Sequence, residues 1–415
     1  MHVVVIGGGV IGLTTAYHLI REGASVTLVD ARQTGLGASD VNAGWIVPAD
    51  SAPLPGPSVI IPVIKWMLQP DAPVYVRLSP KPEVVTFLLS MLGASLGQTQ
   101  RRGFEANLAL GDGSLPVFDE YLADGMDFEL RSTGLLLAYL AKENMDGVAL
   151  LRYRDLLARH GLEPTALIGD DVRNFEPHLS DDVYGGLYFP KERYLDPSGF
   201  VRALHKRLVE LGAEIVQNAP IDHADVAHGK VRSVSANGRT FTGDKYVLAA
   251  GAWTGPLSGL FGYRLPIRAG KGYCVDVEPY GLRTMVNLSD ANVAVTPLER
   301  NLRLCGTMEL AGMDEDINQV RVDAILRAPR SYFRDWEPPR TAPKPQAGMR
   351  PMSADGGLVI GPLGSLTNLV VASGHGMFGV TLGPATARAV TELVLHNRIH
   401  PAVAKFFPSR FRGCR

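Results

Sequence analysis

The stretch His2-Val3-Val4-Val5-Ile6-Gly7-Gly8-Gly9-Val10-Ile11-Gly12 opens the chain and decides how its first domain is read. His2 to Ile6 is an apolar, β-branched run, the pattern of a strand buried on both faces. The glycines at 7, 9 and 12 follow at once. Leu13, Ala16, Tyr17 and Ile20 then recur at helical spacing, and Gly23 offers a left-handed stop. Ser25 to Val29 reads as a second strand, ending at Asp30, eighteen residues beyond Gly12. The unit is strand, glycine turn, helix, strand. In that setting Gly7 permits the tight turn and Gly9 lets backbone approach a pyrophosphate. Gly12 lets the helix close on the strand, and Asp30 accepts hydrogen bonds from a ribose. The helix N-terminus faces the negative charge. Without a ligand, the same pattern is a plain βαβ turn.

Outward from this unit the grammar returns twice. Asp196-Pro197 is a helix start, with Val201, Leu204, Leu208 and Leu211 on one face and Gly212 as the stop. Asn237-Gly238 between strand-like runs predicts a hairpin, and Tyr246 to Ala250 a buried strand that ends in Gly251-Ala252-Trp253. A helix is predicted over Ala385 to Leu395. The material between is different. Ser51 to Pro62 is proline-rich, Glu83 to Tyr121 reads as helical, Arg131 to Leu140 as a strand, and Leu265 to Leu310 as several strands with turns. Pro329 to Pro345, with five prolines, reads as a connector. The fold class is α/β with an α+β second domain. A Rossmann-like domain is assembled from 1–50, 196–255 and 341–415, and a mostly antiparallel domain from 51–195 and 256–340.

Composition excludes several classes. A chain of 415 residues exceeds one small core. With 41 basic and 42 acidic residues there is no bulk positive field for nucleic acid. Cys274, Cys305 and Cys414 are far apart and form no C-x-x-C, so neither an iron–sulfur cluster nor structural zinc is expected, no metal site is assigned, and a reduced, cytoplasmic compartment is the reading. The charge-free run from Gly356 to Ala387 carries eight glycines and two prolines and makes a poor membrane helix. No signal peptide or membrane span is expected.

Two further glycine clusters bear on the ligand. Asp40-Val41-Asn42-Ala43-Gly44 and Ser373-Gly374-His375-Gly376-Met377-Phe378-Gly379 again allow close backbone approach, the second just before a helix. One nicotinamide cofactor needs one such cradle. Separate sites at both chain ends fit a longer flavin cofactor better, while a nicotinamide-dependent reductase stays open.

The order of motifs resembles the D-amino-acid oxidase and glycine oxidase superfamily of FAD enzymes, and within it the bacterial D-amino-acid dehydrogenases. Besides the opening stretch, the resemblance is carried by Asn42-Ala43-Gly44, Ile64-Lys65-Trp66-Met67-Leu68, Ser132-Thr133-Gly134-Leu135-Leu136 and Leu248-Ala249-Ala250-Gly251-Ala252-Trp253. Gly348-Met349-Arg350-Pro351-Met352 and Gly374-His375-Gly376 complete it.

The resemblance implies noncovalent FAD, since the cysteine that carries covalent flavin in some members is missing near the last segment. It places phosphates and ribose at Gly7, Gly9, Val10, Ile11, Gly12, Asp30 and Ala31, and pyrophosphate and flavin along Ser39, Asn42, Ala43 and Gly44. Ile221 would meet adenine, Gly251 would pass the cofactor again, and Gly376, Met377, Gly379, Val380 and Thr381 would meet the flavin ring. Arg350 matches the arginine that forks the substrate carboxylate, and Tyr273 in Lys271-Gly272-Tyr273 an active-site tyrosine. His375 is read as a residue whose backbone matters more than its ring. The implied activity is oxidative deamination of D-amino acids or related secondary amino acids, with a quinone or dye as acceptor. Alternatives are an oxygen-using oxidase and a FAD-binding subunit of a multisubunit amine dehydrogenase. Val59 to Leu68, with Trp66, is read as a lid, a partner surface or a peripheral membrane contact on the inner face of the cell membrane, with core packing equally open.

Overall fold

The computed structural model describes residues 1–53, 69–77, 81–95, 98–147, 149–337, 339 and 343–411. The stretch Val59 to Leu68 and Cys414 lie outside the described residues. Val3, Val4 and Val5 are fully buried. Val3 and Val5 pack into one apolar cluster with the helices Val10–Arg21 and Gly379–His396, while Val4 and Ile6 pack into a second with Ile221–Ala227 and Lys230–Ala236. Burying one valine side chain is worth about 1.5–3 kcal/mol, so a run buried on both faces ties two layers together.

This strand lies third in a six-stranded sheet ordered Glu214–Val216, Ser25–Val29, His2–Ile6, Lys245–Leu248, Leu369–Ser373, Val359–Pro362. The first five run parallel and the last is antiparallel. The helix Pro197–Glu210 covers the sheet and starts as predicted, with the Asp196 carboxylate accepting from the amides of Ser198 (3.1 Å) and Gly199 (2.9 Å). Asp196→Ala should therefore lower stability by about 1 kcal/mol, read as a lower unfolding midpoint. An unchanged midpoint would remove the cap from the energetics. Asn237 and Gly238 have φ of 51° and 77°, which suits the two-residue turn of a hairpin.

The second sheet has nine strands, seven of them along Ile267–Val277, Leu302–Leu310, Val293–Pro297, Met285–Leu288, Leu135–Tyr139, Gly185–Phe189 and Thr165–Ile168. Gln346–Ser353 forms one edge and Val74–Val76 pairs with Leu302–Leu310. Two differences from the sequence reading stand out. The sequence pattern puts residues from 341 onward with the first domain, yet Gln346–Ser353 pairs along its length with Ile267–Val277, a partner 80 residues away in sequence, from Arg350 back to Gly270. The helix expected over Ala385 to Leu395 begins earlier, at Gly379, and runs through Pro384 to His396. A proline there looks like a helix start, but it only removes one hydrogen bond from a helix already under way.

Cys274 and Cys305 are also corrected. They are directly opposed in the register of Ile267–Val277 and Leu302–Leu310 and form a disulfide. Among the described residues no helix is long and apolar enough to cross a membrane, and no cluster of histidine, cysteine or carboxylate side chains is arranged to hold a metal.

Candidate active site

One cavity of about 1180 Å³ runs from the ends of the parallel strands to the face of the nine-stranded sheet. Its first part is built by the opening glycine turn. A Cβ on Gly7, whose φ is +111°, would fall 2.4 Å from the Ala249 carbonyl oxygen. A Cβ on Gly12 would fall 1.8 Å from the carbonyl oxygen of Gly7. Gly12 therefore stands behind the turn and does not line the cavity, whereas Gly7, Gly9, Val10 and Ile11 do. Asp30 and Ala31 line it as well. The Asp30 carboxylate accepts from the amide of Gly8 and from the amide of Arg32 (2.7 Å), so it also fixes the turn.

The second cluster packs over the first helix. Ser39 Oγ accepts from the Val10 amide at 2.8 Å. Asn42 donates to the carbonyls of Ala38 (3.0 Å) and Ser39 (2.8 Å) and accepts from the Gly44 amide (2.7 Å), closing the loop. Ser39, Asn42 and Ala43 line the cavity. Gly44 does not: with φ +72° its missing Cβ makes room for the Leu195 carbonyl, 2.1 Å from where a Cβ would sit.

Ile221 and Gly251 lie on the wall, and beside Gly251 (φ +54°) a Cβ would meet nothing within 4 Å, so the cavity passes its backbone. Gly376, Met377, Gly379, Val380 and Thr381 line the far part. Neither Gly9 nor Phe378 caps its helix, Val10–Arg21 or Gly379–His396, with a side chain; Ser39 takes the Val10 amide, and the other first-turn amides favour negative charge at these two helix starts. Thr381 Oγ1 donates to the Trp45 carbonyl and accepts from the Val47 amide, each at 3.1 Å, which ties this helix to the strand Trp45–Ile46.

The Arg350 end of the cavity is set by strand alternation. Arg350 faces Gly270 across the pair of strands, and a Cβ on Gly272 would fall 2.1 Å from its Nη1. Gly270 and Gly272 thus share the cavity face with Arg350, and the guanidinium lies in the space that Gly272 leaves. Nη1 donates to the Thr307 carbonyl at 2.7 Å, and no carboxylate pairs with Arg350 among the described residues. Burial pushes its pKa down to about 10, which still leaves it cationic at neutral pH.

Lys271 and Tyr273 point to the opposite face, so Tyr273 is a correction: it does not line the cavity. Its hydroxyl donates to Glu309 Oε1 (3.0 Å) and accepts from the Asn318 amide (3.2 Å). Glu309 is also paired with Lys271 (3.4 Å) and Arg321 (2.9 Å), which makes Tyr273 part of a buried charge network that braces the sheet. Of the triplet, Gly272 is the residue that shapes the site.

His375 lies on the cavity wall with its ring buried; Nε2 lies 3.0 Å from Thr386 Oγ1, and Nδ1 has no partner among the described residues. Burial lowers its pKa to about 3, so the ring offers a hydrogen bond and no charge. Only its position in a glycine-rich stretch before a helix marked it in sequence.

Comparison with known proteins agrees with this geometry. The family described as FAD dependent oxidoreductase (DAO) matches residues 2–393. The chain is 31% identical over 404 residues to a D-amino acid dehydrogenase of Paramagnetospirillum magneticum, with 95% of each covered, and 29% identical over 411 residues to one of Xanthobacter autotrophicus, again with 95% of each covered. In fold it is similar to glycine oxidase from Geobacillus kaustophilus (TM-score 0.77, 22% identity, 99% of each chain) and to L-proline dehydrogenase from P. horikoshii (TM-score 0.73, 18% identity, 99% and 97%). An elongated cavity with two uncapped helix starts, an open backbone at Gly251 and an orphaned buried nitrogen on His375 fits a flavin dinucleotide. The chain belongs to the DAO family of FAD dependent oxidoreductases.

Proposed function

We propose that the protein oxidises D-amino acids, or related secondary amino acids, to imino acids that hydrolyse in solution to 2-oxo acids. The observation that carries this reading is Arg350, a cation without an acidic partner among the described residues, set in a largely apolar cavity at the end opposite the dinucleotide cradle. A guanidinium held by the Thr307 carbonyl and seated on Gly272 presents its free edge to a carboxylate in a fixed plane. Fixing the carboxylate orients the α-carbon and its hydrogen, which lowers the entropy cost of reaction. When bound, FAD would supply the acceptor for the hydride, that is, for both electrons and one proton of the oxidation. Gly7 and Gly9 would hold its pyrophosphate, Asp30 its ribose, and His375 with the first turn of Gly379–His396 its ring. The enclosing apolar wall, including Met308 and Met352, excludes water from the reacting carbon.

The relatives named dehydrogenases support an acceptor other than oxygen. FAD is read as noncovalent because Gly374 to Thr381 holds no cysteine. Anaerobic mixing with D- and L-amino acids, glycine, sarcosine and hydroxyprolines tests the reaction through loss of flavin absorbance. D-amino acids or their cyclic relatives should bleach it. A flavin that no amino acid bleaches would overturn the reading. Acid precipitation should then leave the yellow chromophore in the supernatant, and an artificial quinone should reoxidise the enzyme faster than air. Colour retained in the pellet would mean a covalent link, and faster reoxidation in air an oxidase.

A further inference from the structure

The cavity has two polar poles that their own protein neighbours leave free. Arg350 is one. At the other, the short turn Pro48–Asp50 brings Asp50 to the cavity wall, where its carboxyl makes no hydrogen bond or ion pair among the described residues. Asn287 lines the same cavity, and its carboxamide is likewise without a partner among the described residues. Behind Asp50 lies Glu192, wholly buried. One of its oxygens accepts from the Ala49 amide at 2.9 Å, which fixes the turn, and the other has no partner among the described residues. Burial pushes Asp50 up to about 7 and Glu192 up to about 8, and the charge of Asp50 adds to the rise at Glu192. A carboxyl at Asp50 without a donor among the described residues, backed by a Glu192 carboxyl with one oxygen unmatched, leaves a place in an apolar enclosure for a donor carried by a ligand.

The spacing says which part of a ligand reaches it. The Arg350 guanidinium is bonded to Thr307 on the strand Leu302–Leu310. Asn287 lies on Met285–Leu288, two strands away across Val293–Pro297. Val47 and Ala49, which flank and form the Pro48–Asp50 turn, pack against Leu137 and Tyr139 on the next strand, Leu135–Tyr139, which places the turn on that side of the sheet. Neighbouring strands are about 4.8 Å apart, so Asn287 lies roughly 10 Å from the guanidinium end and Asp50, one strand further on, roughly 10–14 Å from it. An α-amino nitrogen, one carbon removed from the carboxylate, does not span that distance. The end of a side chain does.

We propose that Asp50, positioned by Glu192, reads the far end of the substrate side chain and selects substrates that end in a hydrogen-bond donor, an amine or a hydroxyl. This deepens the reading of Arg350 as the carboxylate clamp and rests on it. Hexanoate, 5-hydroxypentanoate and 5-aminopentanoate are matched in heavy atoms and carry no α-amine, so binding to the holoenzyme can be read without turnover, from the absorbance of the bound flavin. The wild-type enzyme should bind at least one of the two donor-bearing probes roughly tenfold more tightly than hexanoate. Asp50→Leu should level or reverse that preference, and Asp50→Asn, nearly unchanged in shape, should lose the preference for the amine should the leucine variant fail to hold flavin. Equal binding of all three probes by the wild type, or a preference that survives in Asp50→Leu, overturns the proposal. Arg350→Met should abolish binding of all three; if it does not, the fault lies with the carboxylate clamp and not with Asp50.

Discussion

Replacing Arg350 by methionine should leave flavin binding and folding intact and lower kcat/KM for amino acids by roughly two decades or more, equivalent to about 2.7 kcal/mol of transition-state stabilisation. The size follows from the chemistry of the contact. A hydrogen bond to a charged group contributes about 1.5–3 kcal/mol, and a guanidinium can make two to one carboxylate. The rest of the loss comes from misplacement of the α-carbon once its anchor is gone. Methionine fills similar space, and the position already neighbours Met308 and Met352 across Gly270, so packing should tolerate it. Lysine should recover only part of the activity, because a point charge does not reproduce the planar fork. A simple amine without a carboxylate gains nothing from Arg350 and should be oxidised about equally by both proteins. If amines and amino acids suffer alike, or if the variant does not fold, Arg350 is structural.

Gly12→Ala should yield protein that carries less than about a tenth of the wild-type flavin, although residue 12 does not touch the cavity. The added Cβ would overlap the Gly7 carbonyl at 1.8 Å, far inside contact distance, and the obstacle is backbone rather than a movable side chain. Relief requires the helix Val10–Arg21 to move off the strand His2–Ile6. That movement displaces the turn held by the bonds from Gly8 to Asp30 and from Val10 to Ser39. Overpacking of this kind costs about 1–3 kcal/mol in stability, and a pyrophosphate cradle out of place loses several amide contacts at once. The flavin-to-protein absorbance ratio after purification is the readout, with a thermal midpoint to register the packing cost. Full flavin occupancy in Gly12→Ala would mean that the turn has slack which the packing denies.

Much of the dinucleotide half was legible in the chain itself. The opening strand, glycine turn and helix, the Asp196 cap and the Asn237-Gly238 hairpin all depend on residues close to one another in sequence, and each forms as read. Gly7 and Gly12 could be assigned their turn and packing roles because close backbone approach leaves only glycine. Gly44 reads the same way and yet serves packing against Leu195, since the sequence marks that backbone must pass closely but not what passes.

The second sheet was legible as strands and not as a surface. Lys271-Gly272-Tyr273 lies on a strand, so alternate residues face opposite sides; which side meets the cavity depends on pairing with Gln346–Ser353, some eighty residues on. A shift of one residue would exchange Gly272 for Tyr273. The same register brings Cys274 opposite Cys305, two residues whose spacing alone suggested no bond. The Pro48–Asp50 turn and Glu192 meet only because the chain folds that turn over a segment 143 residues further on. The sequence by itself thus determined the cofactor cradle, whose geometry is local and enforced by the absence of side chains. The tertiary structure decided the substrate end, because the phase of a strand and the neighbours of a buried carboxyl are properties of pairing between distant segments.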